Sequence, residues 1–322
     1  MSVDVIIIGG YLGSGKSSLV NHLLQAWGSK ETGVIVNDLA PINIDAQHVI
    51  SEAGLTLGIQ DGCVCCSVTD RLGEAFDWMT AFRPRLKRIL VEASGVGDPR
   101  RISYYSRGLR ELSLSAMITV IDASSFVDRL NDRFVGKLVQ RQIEAADRLI
   151  LNKIDLVHAS RVSKVEAILR ELNQEAVVVR TRHSQVDASA IYLRDGIPIL
   201  TRLPSKVLPA ASDAELSGTA FSTMVLRTKD LVDQLGMRES LSQLAKITER
   251  IKGVIVTSEE ANNRYLVQVA AGDVQLSPAN PLAAYPETVL VFVLSGDNPT
   301  LQKEIIETSL SKRACWTSSV IG

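Results

Sequence analysis

The 322-residue sequence lacks several features, and each absence excludes a class of protein. No apolar run approaches the ~18 residues that a membrane-spanning helix needs, so we predict no membrane segment. The formal net charge is −1 with no long run of like charge, which argues against a nucleic-acid or membrane-surface partner. Four cysteines are too few for a disulfide scaffold in a chain of this size, and the adjacent Cys65 and Cys66 are poorly placed to pair.

We also expect no secretory leader at the start of the sequence. Residues 1–8 contain an early acid and a short apolar run with no basic lead, which predicts a first β-strand rather than a signal peptide. We therefore predict a cytoplasmic protein whose thiols are reduced. Hydrophobic residues make up 46% of the chain and charged residues 22%, so a sizeable core can form although aromatic residues reach only 5%.

Up to about residue 200, short apolar runs alternate with longer amphipathic stretches. Strands are predicted at residues 5–8, 33–36, 88–91, 116–121, 148–151 and 176–179, and helices at 17–27, 69–80, 135–145 and 160–172. Several of these strands are continuous Ile, Val and Leu runs, as expected for strands that are covered on both faces. The alternation predicts a three-layer α/β domain with a mainly parallel sheet.

The composition changes around residue 200, where Pro204 and Pro209 lie among Ser and Ala residues. We predict a first domain over residues 1–205, a linker over 206–217 and a second domain over 218–322. In the second domain strands are predicted at 219–226, 253–257, 264–269 and 288–294, and helices at 228–245 and 299–310. This order predicts a small α+β domain with an antiparallel sheet, and residues 315–322 are expected to be a loosely held tail.

A phosphate-binding loop follows the first predicted strand. Residues 10–17 read G-Y-L-G-S-G-K-S, which fits the pattern G-x-x-x-x-G-K-[ST] between a strand and a helix. Glycines allow backbone N–H groups to surround a phosphate, the lysine supplies a positive charge, and the serine hydroxyl can bind Mg²⁺. The predicted nucleotide-binding residues here are Gly10, Gly13, Ser14, Gly15, Lys16, Ser17 and Ser18.

A guanine-binding motif follows the strand predicted at 148–151. Asn152, Lys153 and Asp155 form the pattern N-K-x-D at a strand end, where such sheets bind their ligands. An aspartate there can accept two hydrogen bonds that guanine offers and adenine does not, and the lysine stem can lie over the base. Residues 181–183 are a further candidate for backbone contacts to the base.

Glu92 and Gly95 follow another predicted strand. A carboxylate at this place can hold Mg²⁺ together with Ser17, and the Gly95 N–H can bond a γ-phosphate. Lys16, Glu92 and Gly95 are therefore the predicted catalytic residues, although no side chain is an evident general base. Asp122, at the end of the next strand, is interpreted as a structural acid rather than a ligand.

Three of the four cysteines, Cys63, Cys65 and Cys66, lie within four residues of one another. Closely spaced thiolates bind Zn²⁺, Co²⁺ or Cu⁺, but one C-x-C-C segment does not easily supply four tetrahedral ligands. Candidates for the missing ligand are water and the acidic or histidine residues of the preceding region: Asp38, Asp45, His48 and Glu52. Two alternatives stay open, because the cysteines can also be small buried core residues or a redox-active thiol pair.

Together these motifs resemble the CobW-like branch of the metallochaperone P-loop GTPases, which are related to the urease and hydrogenase maturation GTPases. The resemblance extends to residues 91–99 (V-E-A-S-G-V-G-D-P), to residues 142–147 (Q-I-E-A-A-D) and, in the second domain, to residues 250–253 (R-I-K-G). It implies an enzyme that hydrolyses GTP with Mg²⁺ and delivers a transition metal, zinc or cobalt, to a client metalloprotein. The C-terminal domain would recognise the client, and a homo-oligomer is left open.

The sequence departs from that family in two places. Many members carry N-E-F-G-E where residues 37–41 read N-D-L-A-P, so the first acid is kept as Asp38 and the second is replaced by Pro41. A histidine-rich tract near the linker is also absent, which favours handling of a single ion over storage. The rival hypotheses are a cobalt- or cobalamin-pathway assembly factor, a GTPase switch with structural cysteines, and a thiol redox sensor.

Overall fold

A computed structural model shows two compact units, residues Met1–Ala211 and Ser212–Gly322. It describes residues 2–38, 55–60, 68–82, 85–191, 221–258, 263–270, 272–279, 286–296 and 298–321. The boundary falls at residue 211, and the predicted linker 206–217 lies outside the described residues, so its exact limits stay a prediction.

The first unit is built on a seven-stranded sheet whose described pairings are all parallel. The spatial order of its strands is β3-β2-β4-β1-β5-β6-β7. Along the chain its elements are β1 Val3–Gly9, α1 Lys16–Trp27, β2 Thr32–Asp38, β3 Leu55–Gln60, α2 Val68–Ala81, β4 Arg88–Glu92, α3 Pro99–Gly108, β5 Leu112–Asp122, α4 Phe126–Leu130, α5 Gly136–Glu144, β6 Arg148–Asn152, α6 Ala159–Leu172 and β7 Val177–Arg180. The predicted three-layer α/β domain is thus confirmed.

The sheet is covered on both faces because its central strands are apolar on both sides. Along β1, Val5 and Ile7 contribute to one core cluster, whereas Ile6 and Ile8 contribute to another, and all four side chains are fully buried. Successive side chains of a strand point to opposite faces, so a continuous Val/Ile run requires a helical layer on each side. Leu19 and Leu23 of α1 supply one of those layers.

The carboxyl ends of the central strands meet at one edge of this sheet. β1 pairs with both β4 and β5, so that Ile8 lies opposite Glu92 and Gly9 lies opposite Thr119. β5 pairs in turn with β6. The phosphate loop, the acid that ends β4 and the N-K-x-D motif that begins at the last residue of β6 are therefore brought to the same edge, where parallel α/β sheets bind ligands.

The second unit holds a six-stranded sheet whose described pairings are all antiparallel, in the order β11-β10-β9-β12-β8-β13. Its elements are β8 Ser222–Thr228, α7 Gln234–Leu244, β9 Arg250–Val256, β10 Arg264–Ala270, β11 Asp273–Pro278, β12 Thr288–Leu294, α8 Pro299–Ser311 and β13 Thr317–Ile321. Both helices contribute buried residues to one core with the sheet. The α+β prediction is confirmed.

Two predictions for this unit were wrong. The residues expected to form a loose tail contain β13, which pairs with β8 from Thr317 to Ile321. The helix expected at 228–245 begins only at Gln234, because Asp233 accepts a hydrogen bond from the Gly236 N–H and caps the helix there. Among the described residues, no helix is long and apolar enough to cross a membrane.

Candidate nucleotide-binding site

The phosphate loop connects β1 directly to α1, and its glycines take conformations that other residues avoid. Gly10, Gly13 and Gly15 have φ angles of 130°, 76° and 108°. A β-carbon on Gly10 would lie 2.9 Å from the Ser14 Oγ and 3.0 Å from the backbone nitrogen of Val120 in β5. The loop therefore needs glycine at this position both for its backbone angle and for its close approach to the neighbouring strand.

Lys16 is the first residue of α1, and its side chain turns back over the loop. Its Nζ donates hydrogen bonds to the carbonyl oxygens of Gly10, at 2.9 Å, and Tyr11, at 3.2 Å. The side chain is only 4% exposed, so its charge is held within the loop rather than in solvent. A buried ammonium group beside the N-terminus of a helix is well suited to bind an anionic phosphate.

Ser17 and Glu92 meet at the neighbouring strand end. The Ser17 Oγ donates a hydrogen bond to the Glu92 Oε1 over 2.8 Å, across 75 residues of sequence. Glu92 is 3% exposed. A hydroxyl and a carboxylate are both oxygen donors of the kind that Mg²⁺ prefers, so the two residues present fit this ion.

The loop after β4 rests directly on the phosphate loop. A β-carbon on Gly95 would lie 3.0 Å from both the Cγ and the backbone nitrogen of Leu12, so only glycine allows this contact. Gln142 of α5 holds the same loop, because its Nε2 donates to the carbonyl oxygens of Gly95, at 3.3 Å, and Gly97, at 3.0 Å. Gln142 is 1% exposed, so both bonds are shielded from water.

At the end of β6, the Asn152 side chain forms hydrogen bonds with the phosphate loop and with the segment after β7. Its Nδ2 donates to the Ser14 carbonyl oxygen, at 2.9 Å, and to the Ser184 Oγ, at 2.8 Å, while its Oδ1 accepts from the Ser184 N–H at 2.9 Å. The Ser184 Oγ donates onward to the Gly15 carbonyl oxygen at 2.9 Å. Asn152 therefore ties the phosphate loop to the segment after β7, and its predicted contact with the nucleotide stays a prediction.

The other two residues of the motif lie beside it. Lys153 has a left-handed backbone, with φ 59° and ψ 33°, and its Nζ donates to the Asp122 Oδ2 at 2.7 Å. Asp155 is exposed in a short 3₁₀ turn, Ile154–Leu156, and its predicted contact with guanine stays a prediction. In the segment at 181–184, His183 and Ser184 have φ angles of 52° and 57°, a conformation that is uncommon for residues other than glycine.

Sequence reasoning missed two residues of this site. Ser184 carries no motif, and its partner Asn152 is 32 residues away. Gln142 was noted only as part of the family resemblance at residues 142–147, and no contact with the Gly95 loop was predicted for it. Ser18, which was predicted to bind nucleotide, is exposed on α1.

The predicted metal ligands Cys63, Cys65 and Cys66 lie outside the described residues, as do the candidates Asp45, His48 and Glu52. Asp38 ends β2, but its side chain is likewise outside the description. Within the described ranges, no group of three or more His, Cys, Asp or Glu side chains could hold a metal ion. The metal site stays a prediction.

Comparison with known proteins identifies the first unit. The sequence profile of the family described as "CobW/HypB/UreG, nucleotide-binding domain" matches residues 4–180. The zinc chaperone YjiA of Escherichia coli strain K12 is 26% identical over 202 residues, which are 60% of this chain and 62% of YjiA. The zinc-regulated GTPase metalloprotein activator 1 of Dictyostelium discoideum is 25% identical over 227 residues, 59% of this chain and 48% of that protein. The chain thus spans about half to three fifths of the length of these relatives.

A solved structure is also similar over nearly the whole chain. The crystal structure of the Zn(II)-bound YjiA GTPase from E. coli covers 97% of this chain and 99% of its own, with 18% sequence identity and a TM-score of 0.45.

Proposed function

The chain belongs to the CobW/HypB/UreG family, and from this membership we propose that it is a Mg²⁺-dependent GTPase that binds one transition-metal ion, zinc, and delivers it to a client metalloprotein. The predicted location is the cytoplasm, where thiols stay reduced. The names of two similar proteins, a zinc chaperone and a zinc-regulated GTPase activator, support the choice of metal.

One observation supports the proposal that metal binding is coupled to the nucleotide state. β3 runs parallel to β2, and β2 runs parallel to β4, so all three strands end at the edge that carries the phosphate loop. The C-x-C-C segment begins three residues after β3 ends at Gln60. β2 and β4 lie between β3 and β1, which leads into the phosphate loop, so a rearrangement around the γ-phosphate would reach the thiols along this edge through those strands.

Each group at the edge has a role in the proposed hydrolysis. Lys16 binds the β- and γ-phosphate oxygens, exchanging its loop carbonyl partners for the stronger anionic ones. Ser17 and Glu92 would hold Mg²⁺, which supplies charge neutralisation at the β- and γ-phosphates when it is bound. The Gly95 N–H bonds the γ-phosphate, and Asp155 selects guanine. No general base is assigned, since positioning and electrostatic stabilisation account for most of the catalysis of phosphoryl transfer.

Delivery requires the two nucleotide states to differ in metal affinity, because a ligand with equal affinity for both states shifts nothing. The second unit, with its separate sheet and core, is proposed to recognise the client.

The test is to measure Zn²⁺ affinity by competition with a chromophoric chelator, with GDP bound and with a non-hydrolysable GTP analogue bound. We expect the two affinities to differ at least tenfold in the wild type and to become low and equal in Cys65→Ser. Cys315→Ser is the matched control, because Cys315 is an exposed free cysteine of the second unit. It should keep the wild-type values.

Equal zinc affinities in the two wild-type states would exclude the delivery mechanism and leave the GTPase assignment intact. Reversible disulfide formation with no zinc binding would favour the redox sensor instead. Tighter binding of Co²⁺ than of Zn²⁺ by the same thiols would favour the cobalt-pathway assembly factor.

A further inference from the structure

The ion pair between Lys153 and Asp122 joins two strand ends at the proposed base site. β5 and β6 pair in parallel register so that Asp122 lies opposite Asn152, and Lys153 is the next residue along the chain. The Lys153 Nζ lies 2.7 Å from the Asp122 Oδ2. The four-carbon stem of the lysine therefore reaches from the end of β6 to the end of β5.

Asp122 is held in place independently of the lysine. Its Oδ1 accepts hydrogen bonds from the Ser124 N–H, at 2.8 Å, and from the Ser124 Oγ, at 2.6 Å. The turn that follows Asp122 is anchored by Arg161 of α6, whose Nη2 donates to the Ser124 carbonyl oxygen at 2.6 Å. The backbone N–H of Ala123 donates to the Asn152 carbonyl oxygen at 3.0 Å. The carboxylate is thus a fixed point against which a flexible side chain can be positioned.

Asp122 is more buried than Lys153, so the carboxylate restricts the lysine side chain rather than the reverse. Asp122 is 6% exposed, whereas the Lys153 side chain is 28% exposed. A surface lysine keeps most of its rotamer freedom and loses it when a ligand packs against the stem. Pinning the ammonium on a buried carboxylate removes part of that freedom before the ligand arrives, which raises affinity by preorganisation.

We propose that Asp122 is a positioning residue for guanine nucleotides: it holds Lys153 so that the lysine stem forms a fixed apolar surface for the purine ring. This inference rests on the proposed GTP binding and adds to it. The surface would act on any purine, since guanine is distinguished from other purines by Asp155. The role goes beyond the interpretation of Asp122 as a structural acid, although it still gives Asp122 no direct contact with the nucleotide.

A double-mutant cycle on the full chain tests the proposal, with affinities measured for GDP and for inosine diphosphate, which lacks the exocyclic amine. We expect Asp122→Asn to weaken both nucleotides by about tenfold, the scale of one charge-assisted hydrogen bond. In a Lys153→Met background, which keeps an apolar stem and lacks the ammonium, the same change should alter affinity less than twofold. Lys153→Arg should retain most of the affinity when Asp122 is present, because it keeps a cation.

Two further variants separate this role from specificity and from folding. Asp155→Asn should weaken GDP more than inosine diphosphate, whereas Asp122→Asn should leave the ratio of the two unchanged. Asp132→Asn is the matched control, because the Asp132 Oδ1 also accepts backbone N–H bonds, from Phe134 at 2.7 Å and Val135 at 3.1 Å, in the loop between α4 and α5. It should bind GDP as the wild type does.

An additive cycle, in which Asp122→Asn costs the same with and without the lysine ammonium, would overturn the proposal. An unchanged GDP affinity in Asp122→Asn would also overturn it. So would an equal loss of GDP affinity in Asp122→Asn and Asp132→Asn that is accompanied by an equal fall in melting temperature in both variants. A wild-type chain that binds no guanine nucleotide would refute the proposed function itself, and that result is distinct from an additive cycle.

Discussion

Replacement of Asn152 by aspartate should destabilise the first unit more than replacement by alanine, although aspartate has nearly the same shape. The Asn152 Nδ2 is the donor to the Ser14 carbonyl oxygen and to the Ser184 Oγ. In Asn152→Asp an acceptor faces the Ser14 carbonyl at 2.9 Å, and the Ser184 hydroxyl already donates to the Gly15 carbonyl. Neither bond can then form without rearrangement.

The magnitude follows from the burial of the site. Asn152 is 2% exposed, so partners that lose it stay buried without water. Alanine removes three neutral hydrogen bonds and leaves buried groups unpaired, which costs about 2–4 kcal/mol. Aspartate keeps one acceptor but adds a buried, unpaired charge, which raises the cost to about 3–5 kcal/mol.

The pH dependence identifies the cause. In the folded Asn152→Asp variant the pKa of the carboxyl should be raised, because burial and the facing carbonyl oxygen disfavour the charged form. The folded state then binds more protons than the unfolded state, so the variant loses stability as pH rises and recovers it as pH falls through the raised pKa. Once protonated, the carboxyl can donate to the Ser14 carbonyl again.

The assay is amide hydrogen exchange of the strands of the first unit, since it reports the opening of that unit apart from the second. Measurements between pH 5 and 8, corrected for intrinsic exchange rates, give the free energy of opening for the wild type and both variants. If Asn152→Asp were as stable as the wild type, or less destabilised than Asn152→Ala at every pH, the donor role of this side chain would be refuted.

Three more outcomes are expected. Gly95→Ala should weaken a GTP analogue at least tenfold more than GDP in equilibrium titrations, because a β-carbon at this position collides with Leu12; equal losses would contradict a γ-phosphate contact. Gln142→Met should lower the hydrolysis rate with little change in GDP affinity, since it removes both hydrogen bonds that hold the Gly95 loop, and an unchanged rate would argue against that hold. Glu166→Gln should lower the melting temperature at pH 7, and the difference from the wild type should shrink as pH falls below the usual carboxyl range. The hydrogen bond from Arg180 lowers the pKa of the Glu166 carboxyl from its usual 4.5, so the stability that it adds is present above that value and lost as pH falls through the lowered pKa. A difference that does not shrink as pH falls would show that the charge is not the cause.

The first unit was largely predictable because its strands carry a strong local signal. The Val/Ile run of β1 and the Leu/Ile run of β6 are buried on both faces, and no helical pattern competes with them. α3 (Pro99–Gly108) was missed although a signal exists: Asp98 accepts from the Arg100 N–H at the helix start, and proline follows it at the first helical position. An Asp-Pro pair after a strand deserved a helix prediction.

The strands that the sequence did not predict are those whose formation depends on pairing with a neighbouring strand. β13 (Thr317–Ile321) reads T-S-S-V-I, a polar run whose only structural cue is its pairing with β8. β3 (Leu55–Gln60) contains a glycine, and β11 (Asp273–Pro278) alternates exposed and buried residues at the sheet edge. Such strands form because a neighbour offers hydrogen bonds, which a single sequence does not show.

The site was predicted as a set of residue types but not as a network. The motif placed Asn152 at the correct strand end. The position of its hydrogen-bond partner Ser184 depends on a left-handed backbone conformation, which no nearby sequence pattern predicts. The register that sets Asp122 beside Lys153 is likewise a property of two paired strands, 31 residues apart. The residue types of the site could be predicted from local motifs, but the contacts between residues distant in sequence could not.

The position of β8 in the second sheet has a consequence for how the protein is made. β8 (Ser222–Thr228) is the first described strand of its unit to leave the ribosome, but it pairs with β12 (Thr288–Leu294) and β13 (Thr317–Ile321). The first unit has all seven of its described strands once Arg180 has been synthesised. Its sheet can therefore form during translation, whereas β8 keeps one edge unpaired until β12 has emerged and the other edge unpaired until β13 has emerged. The nucleotide-binding unit is thus complete before the second unit can close.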